Sequence, residues 1–307
     1  MNPPVSTTTQ ASTSSEIDSA SDAPALQIAI PKGRMFKGIS QLLSEAGIEL
    51  KTTARGYRPI ISLSGFEAKI LKPQNIVEML HLGSRDVGFA GRDWVMEKQA
   101  DLVELLDTEL DPVKIVAAAP SAFLVDGELP QVPLRVASEY VRITEDWVRA
   151  RGLEARLVRS YGATEVFPPE DAEVIVDNTA TGATLKSNQL EIIEVIARSS
   201  TRLYANPRSY DVPWKREAID HLVLMLQSAL AARARVMLEL NVGAPQLEGI
   251  LEVLPCMRQP TISTLYGEEG YAVKAAVPRV GLPELIGALR RAGGTDIVIT
   301  RLSQIIS

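Results

Sequence analysis

The chain has 307 residues, 46% of them hydrophobic and 23% charged, the make-up of a globular protein with room for two or three domains. Its net charge of -6, with no block of basic residues, argues against nucleic acid as the main partner. A single cysteine, Cys256, rules out a disulfide within the chain and points to a reducing compartment, and with only His81 and His221 beside it there is no zinc pattern. No apolar run is long enough to cross a membrane as a helix, so no membrane partner is expected.

Residues 1–24 are rich in Ser, Thr and Ala and contain no Lys or Arg. They lack the basic, apolar pattern of a secretory signal and are expected to be a disordered tail. Leu26 to Ile30 then reads as a strand broken by Pro31-Lys32-Gly33-Arg34, and Met35 to Ala46 as an amphipathic helix closed by Gly47. A basic turn before a helix N-terminus either faces an anion or is a solvated loop. Glu67 to Leu71 reads as extended, Pro73 opens a helix to about Leu82, and Asp86 to Ala90 is a buried strand ending at Gly91. Arg92 to Lys98 is a helix. Val103 to Leu106 and Val113 to Ala119 read as two strands separated by Asp111-Pro112.

Leu134 to Ala137 is a strand, Glu139 to Arg151 a helix closed by Gly152, and Leu153 to Val158 a strand. The alternation predicts an α/β layer with a largely parallel sheet, and a second α/β lobe over residues 114–199. Within it lies the most informative segment, EVIVDNTATGATL, from Glu173 to Leu185. Val174, Ile175 and Val176 form a short buried strand, Asp177 stands at its end, and a loop of small and hydroxyl residues follows: Asn178, Thr179, Ala180, Thr181, Gly182, Ala183 and Thr184. Such a loop turns backbone N–H groups and hydroxyls toward a phosphate, and the acid before it accepts sugar hydroxyls or helps to hold a metal. Alternate residues share a strand face, so Glu173 either points with Asp177 or lies at the strand's solvated start.

Leu203 to Asn206 reads as a strand and Trp214 to about Ala234 as a long helix. In the last third, strands at 236–242, 261–265, 271–277 and 297–300 alternate with helices at 245–254 and 283–292. That order, βαββαβ, predicts a ferredoxin-like module.

Four stretches together resemble the ATP phosphoribosyltransferase that opens histidine biosynthesis, in its long form. They are LQIAIPKGRMFKGISQLLSEAGI, KILKPQNIVEMLHLGSRDVGFAGRDWVME, YGATEVFPPEDAEVIVDNTATGATLKSNQLEIIEVI, and the C-terminal VMLELNV with LPCMRQPTISTL. The likeness covers about residues 25–307. It implies a two-lobed catalytic core built like a periplasmic binding protein, with lobe I at 25–113 and 200–232, lobe II at 114–199, and a regulatory domain at 233–307. It also implies ATP and phosphoribosyl pyrophosphate as substrates, magnesium (Mg2+) held mainly by their phosphates, inhibition by histidine, a cytoplasmic homo-oligomer (dimer to hexamer), and no need of a separate regulatory subunit.

On that resemblance Glu173, Asp177 and the loop 178–184 take phosphoribosyl pyrophosphate. Lys32 and Arg34 are the first cations for the departing pyrophosphate or the triphosphate, and Arg55 and Arg58 the second. Asp93 either faces the cleft or caps its helix. Thr164 and Glu165 contact the purine or orient the nucleophile. Asn241 and Thr261 stand for the histidine pocket, with many relatives carrying an acid near Asn241. Two other readings of the same residues are a non-catalytic small-anion-binding protein on this scaffold and a phosphoribosyltransferase for another base.

Overall fold

The computed structural model describes residues 25–52, 56–267 and 269–306. The expected N-terminal tail and Arg55 lie outside the described residues. The chain opens with Leu26–Pro31 (β1) and Arg34–Glu45 (α1), whose buried Ile39, Leu42 and Leu43 recur at helical spacing. Leu50–Lys51 (β2) and Ile60–Ile61 (β3) pair apart from the main sheet. Phe66–Leu71 (β4), Pro73–His81 (α2), Val87–Gly91 (β5) and Arg92–Lys98 (α3) follow as read from the sequence.

The next strand departs from expectation. Val103–Pro120 (β6) is one strand of 18 residues, not two separated at Asp111-Pro112. Glu109 and Asp111 adopt φ of 57° and 48°, so the extra residues bulge out and the strand resumes. Pro112, lacking an N–H, sits in that irregular stretch without forfeiting a ladder bond.

Leu134–Ser138 (β7), Val141–Ala150 (α4), Ala155–Arg159 (β8) and Val174–Thr179 (β9) build the second half. β9 carries Asp177, Asn178 and Thr179 within the strand, and the loop begins only at Ala180. Ala183–Ser187 (α5) then leads to Leu190–Ala205 (β10), of which the sequence revealed only the last residues. Pro207–Tyr210 (α6) and Pro213–Arg233 (α7) complete this part.

One eight-stranded sheet runs β4-β1-β5-β10-β6-β9-β7-β8. The β4-β1-β5 and β9-β7-β8 groups are parallel, but β10 pairs antiparallel with β5 and β6, and β6 antiparallel with β9. The sheet is therefore mixed rather than largely parallel. The two long strands serve both lobes: Val103 to Leu110 pairs with 201–205 in the first, and Val113 to Pro120 with 190–199 in the second. Cores form on either side of this crossing, one around Leu26, Ile28, Leu42, Phe89 and Leu226, another around Ile115, Val136, Trp147, Val174 and Val176. Each fully buried aliphatic side chain contributes about 1.5–3 kcal/mol.

The last third is Arg235–Gly243 (β11), Leu247–Val253 (α8), Thr261–Thr264 (β12), Gly270–Pro278 (β13), Leu282–Arg291 (α9) and Thr295–Arg301 (β14). Residues 244–246 form a 3-10 turn, so α8 starts at Leu247 and not at Pro245. The antiparallel order β12-β13-β11-β14 is that of a ferredoxin-like βαββαβ module.

Candidate active site

At the end of β9 a cavity of about 360 Å³ is lined by Arg34, Glu165, Asp177 and residues 178–181 and 183–185. β9 sets Asp177 at its mouth because Val174, Ile175 and Val176 are wholly buried and anchor the strand. Gly182 reverses the chain with φ of 82°, a conformation that favours glycine, and opens α5. Thr179 Oγ1 accepts from Gly182 N at 2.9 Å and Thr181 Oγ1 from Ala183 N at 3.3 Å, which stiffens the turn. The N–H groups of Ala180 and Thr181 have no hydrogen-bond partner among the described residues, leaving two donors for an anion.

Asp177 is the perturbed acid of this cavity. Its carboxyl is pushed up to about 6, by burial first and then by the nearby Glu165 and Glu139 carboxylates, against the lowering effect of the Asn178 N–H and the Thr164 hydroxyl. Asn178 N donates to Asp177 Oδ1 at 2.7 Å. Arg34 comes from the other lobe, at the start of α1, and is the cation on the cavity wall. Its side chain is 65% exposed and lies 4.0 Å from Asp111, so it is loosely held and free to swing.

Beside it, a smaller cavity of about 100 Å³ shares Arg34 and Asn178 and reaches Asp93, Asp111 and Tyr140. Here a buried network crosses the junction of the lobes. Tyr140 Oη donates to Asp93 Oδ2 at 2.7 Å and accepts from Asn178 Nδ2 at 3.0 Å. Ser199 Oγ donates to Asp93 Oδ1 at 2.7 Å and accepts from Asp93 N at 3.0 Å. Burial first, and then the Asp93 carboxylate, push the Tyr140 phenol well above its ordinary range, so it stays a donor. A Cβ on Gly91 would collide with Asp93 Oδ1, which explains glycine there. Tyr140 and Ser199 carry no local signal in the sequence, because their partner Asp93 is 47 and 106 residues away.

The structure brings together Arg34, Glu165, Asp177 and the 178–184 loop. Thr164 is buried next to them, its hydroxyl 2.8 Å from Ser160 Oγ. Asp93 does not cap its helix; both of its oxygens serve the network. Glu173 is not in the cavity: at the opposite end of β9 it grips Arg135, accepting from Nη2 at 2.6 Å and from the backbone N at 2.6 Å. Lys32 and Arg58 are exposed and line neither cavity. Asn241 and Thr261 do not touch, since β13 runs between their strands; Asn241 Nδ2 donates to Asp296 at 3.1 Å, and Thr261 is exposed opposite Lys274.

Asp177 and Glu165 are the oxygen donors facing the larger cavity, and no group of three or more metal-binding side chains occurs among the described residues. Two carboxylates with threonine hydroxyls are oxygen ligands of the kind that fit a magnesium ion in part, leaving most of its positions to other ligands. No described helix is long and apolar enough to cross a membrane.

Comparison with known proteins identifies the family. A family model described as ATP phosphoribosyltransferase matches residues 72–228, and one described as HisG, C-terminal domain, matches residues 232–304. The ATP phosphoribosyltransferase of Pelotomaculum thermopropionicum is 38% identical over 286 residues, which cover 92% of this chain and 99% of that protein. That of Chlorobium luteolum is 36% identical over 92% of this chain and 97% of its own length. Among solved structures, the ATP phosphoribosyl transferase (HisG:HisZ) complex from Thermotoga maritima aligns with a TM-score of 0.59 and 28% identity, covering 66% of this chain and 96% of that one. None of these relatives supports a non-catalytic binding protein. The chain belongs to the ATP phosphoribosyltransferase family, in the form that carries the additional C-terminal domain.

Proposed function

We propose that the chain condenses ATP with 5-phosphoribosyl 1-pyrophosphate, giving phosphoribosyl-ATP and pyrophosphate, the first step of histidine biosynthesis. The observation that carries this reading at the level of residues is the cavity joining Asp177, the 178–184 turn and Arg34. An adenine ring nitrogen attacks the anomeric carbon as its bond to pyrophosphate breaks. Positive charge grows on the sugar and negative charge on the leaving group, so positioning and electrostatics supply most of the acceleration.

In this reading the free N–H groups of Ala180 and Thr181, with the hydroxyls of Thr179, Thr181 and Thr184, receive the 5-phosphate. Ionised Asp177 accepts from the ribose hydroxyls and offsets the growing positive charge beside it. Arg34 swings from its long contact with Asp111 onto the departing pyrophosphate, assisted by Lys32 on the same turn. Thr164 and Glu165 border the purine, and Asp93 acts through Tyr140 to orient Asn178; Arg58 serves the triphosphate. With Asp177 and Glu165 as the nearby carboxylates, magnesium carried by the substrate phosphates would add charge neutralisation of the leaving group.

The same reading takes residues 25–113 with 200–232 and residues 114–199 as the catalytic lobes. Residues 233–307 form a domain through which histidine inhibits, at the end carrying Asn241 and Thr261. It takes the working form as a cytoplasmic homo-oligomer that needs no separate regulatory subunit.

The test is an absorbance assay for phosphoribosyl-ATP with magnesium, ATP and phosphoribosyl pyrophosphate, with and without histidine. Product formation is expected, and so is its suppression by histidine. Absence of turnover alongside an active relative assayed in parallel would overturn the assignment.

A further inference from the structure

A cleft of about 690 Å³ lies away from the active site, between the catalytic core and the C-terminal domain. Four arginines line it, Arg233, Arg235, Arg279 and Arg301, against one acidic residue, Glu45. Arg233 is spoken for, since its Nε donates to Glu45. Arg235, Arg279 and Arg301 form no ion pair with any described carboxylate. Arg235 Nε is buried with no hydrogen-bond partner among the described residues.

A chain with a net charge of -6 thus gathers three uncompensated arginines around one hollow. Like charges held together repel, and a buried guanidinium N–H without a partner costs about 1–3 kcal/mol or more. Such an arrangement is stabilised by an anion. Guanidinium forks match the oxygens of phosphate two at a time, and Ser303 adds a hydroxyl on the wall. The hollow is far larger than one phosphate and falls in the ordinary range of small-molecule sites. The C-terminal segment closes its side, with Ile305 N bonded to Ser228 O at 3.0 Å and Gln304 Nε2 to Glu45 O at 3.3 Å.

We propose that this cleft is a second anion site, which binds a phosphorylated small molecule of about nucleotide size through Arg235, Arg279 and Arg301. It shares no residue with the cavity at Asp177. Arg235 and Arg301 also stand at the opposite ends of their strands from Asn241 and Thr295. Helix α1 reaches both places: Arg34 at its start lines the active-site cavity, and Gln41, Ser44 and Glu45 near its end line the cleft. The molecule bound there would tie α1 and α7 of the catalytic core to β11 and β14.

The experiment is hydrogen–deuterium exchange of the full chain with inorganic tripolyphosphate as the probe. Tripolyphosphate is expected to protect peptides spanning 229–236 and 299–303, separately from any protection at 177–184. The variant R279E/R301E changes two exposed side chains outside the catalytic residues. It is expected to weaken protection of the first two peptides at least tenfold in probe concentration while protection at 177–184 and turnover persist. R279Q/R301Q, which removes charge without reversing it, should weaken the same protection even if the reversed variant folds poorly. No protection at 229–236 and 299–303 while 177–184 is protected would overturn the proposal. So would protection that both variants leave unchanged, or protection present without probe and lost on dilution, which would mark the cleft as a contact between copies of the chain.

Discussion

Asp86 at the start of β5 and Asp177 near the end of β9 are both carboxylates at the tip of a buried strand, and their surroundings move them in opposite directions. Burial alone would raise Asp86, but the Gln27 N–H, the Lys215 ammonium, 2.6 Å away, and the Ser209 hydroxyl outweigh it and hold the carboxyl below its ordinary value. Its contribution is therefore present above the unfolded-state value and is lost as pH falls through the lower folded one. Asp86→Ala should cost about 3–5 kcal/mol at pH 7, because it strands Lys215, and the cost should shrink in acid. Urea unfolding at pH 7 and pH 3 measures it, and an unchanged midpoint at pH 7 would remove this account. Asp177 has the reverse sign. With its folded value near 6, its stabilising share is present below the unfolded value of 3.8 and is lost as pH rises through 6. Asp177→Asn should therefore stabilise the chain at pH 7.5 by on the order of 1–2 kcal/mol, discounted for solvent reaching the carboxylate, and make little difference at pH 3.5. The same change should lower kcat/KM for phosphoribosyl pyrophosphate about 100-fold, a loss of about 2.7 kcal/mol. In the unaltered enzyme KM for that substrate should climb as pH drops below 6. A variant that is less stable at pH 7.5 with full turnover would contradict both halves of the argument. The sequence marked Asp177 because a strand, an acid and a small-residue turn are adjacent in the chain. It could not decide about Glu173, whose partner Arg135 lies on the neighbouring strand.

At the scale of elements, the β6/β10 pair is what makes two lobes from one sheet, and it is also what the sequence concealed. A strand with one buried face announces itself by alternation, and each bulge slips the phase of that alternation. β10 has register irregularities between Ile192 and Glu194, between Val195 and Ala197, and around Ser199 to Arg202, so no regular period survives along it. Short anchored strands such as Val87–Gly91, buried throughout, were legible from their apolar runs alone. The Tyr140 network lies across this pair, tying α3 of one lobe to Asn178 of the other. Tyr140→Phe keeps the ring, 4.8 Å from that of Trp94, but leaves Asp93 Oδ2 and Asn178 Nδ2 without their shared partner. It should cost about 1–3 kcal/mol in urea unfolding. If the network sets the position of the β9 end, kcat should also fall severalfold with unaltered circular dichroism. Equal loss of stability with wild-type kcat would confine Tyr140 to packing.

At the scale of the molecule, the C-terminal domain keeps its core to itself. The cluster around Val236, Leu238, Leu240, Ile250, Val273, Val277 and Leu289 draws every member from the last third of the chain. Its topology was readable for the same reason: all its strand partners lie within one short βαββαβ span, and β11 alternates buried and half-buried residues in unbroken register with β13. What ties it to the catalytic core is the end of α7, the arginine-lined cleft and the C-terminal segment packed on Ser228 and Glu45. A core this self-sufficient should fold alone, though at about 70 residues only by a few kcal/mol. The fragment 234–307 is expected to give a cooperative urea transition, and the complementary fragment 25–233 to retain phosphoribosyl-ATP formation but lose its response to histidine. Histidine inhibition persisting in 25–233 would move the inhibitory site into the catalytic lobes. A fragment 234–307 without a cooperative transition would mean that the α7 contacts, and not the apolar cluster, supply the margin by which this domain is folded.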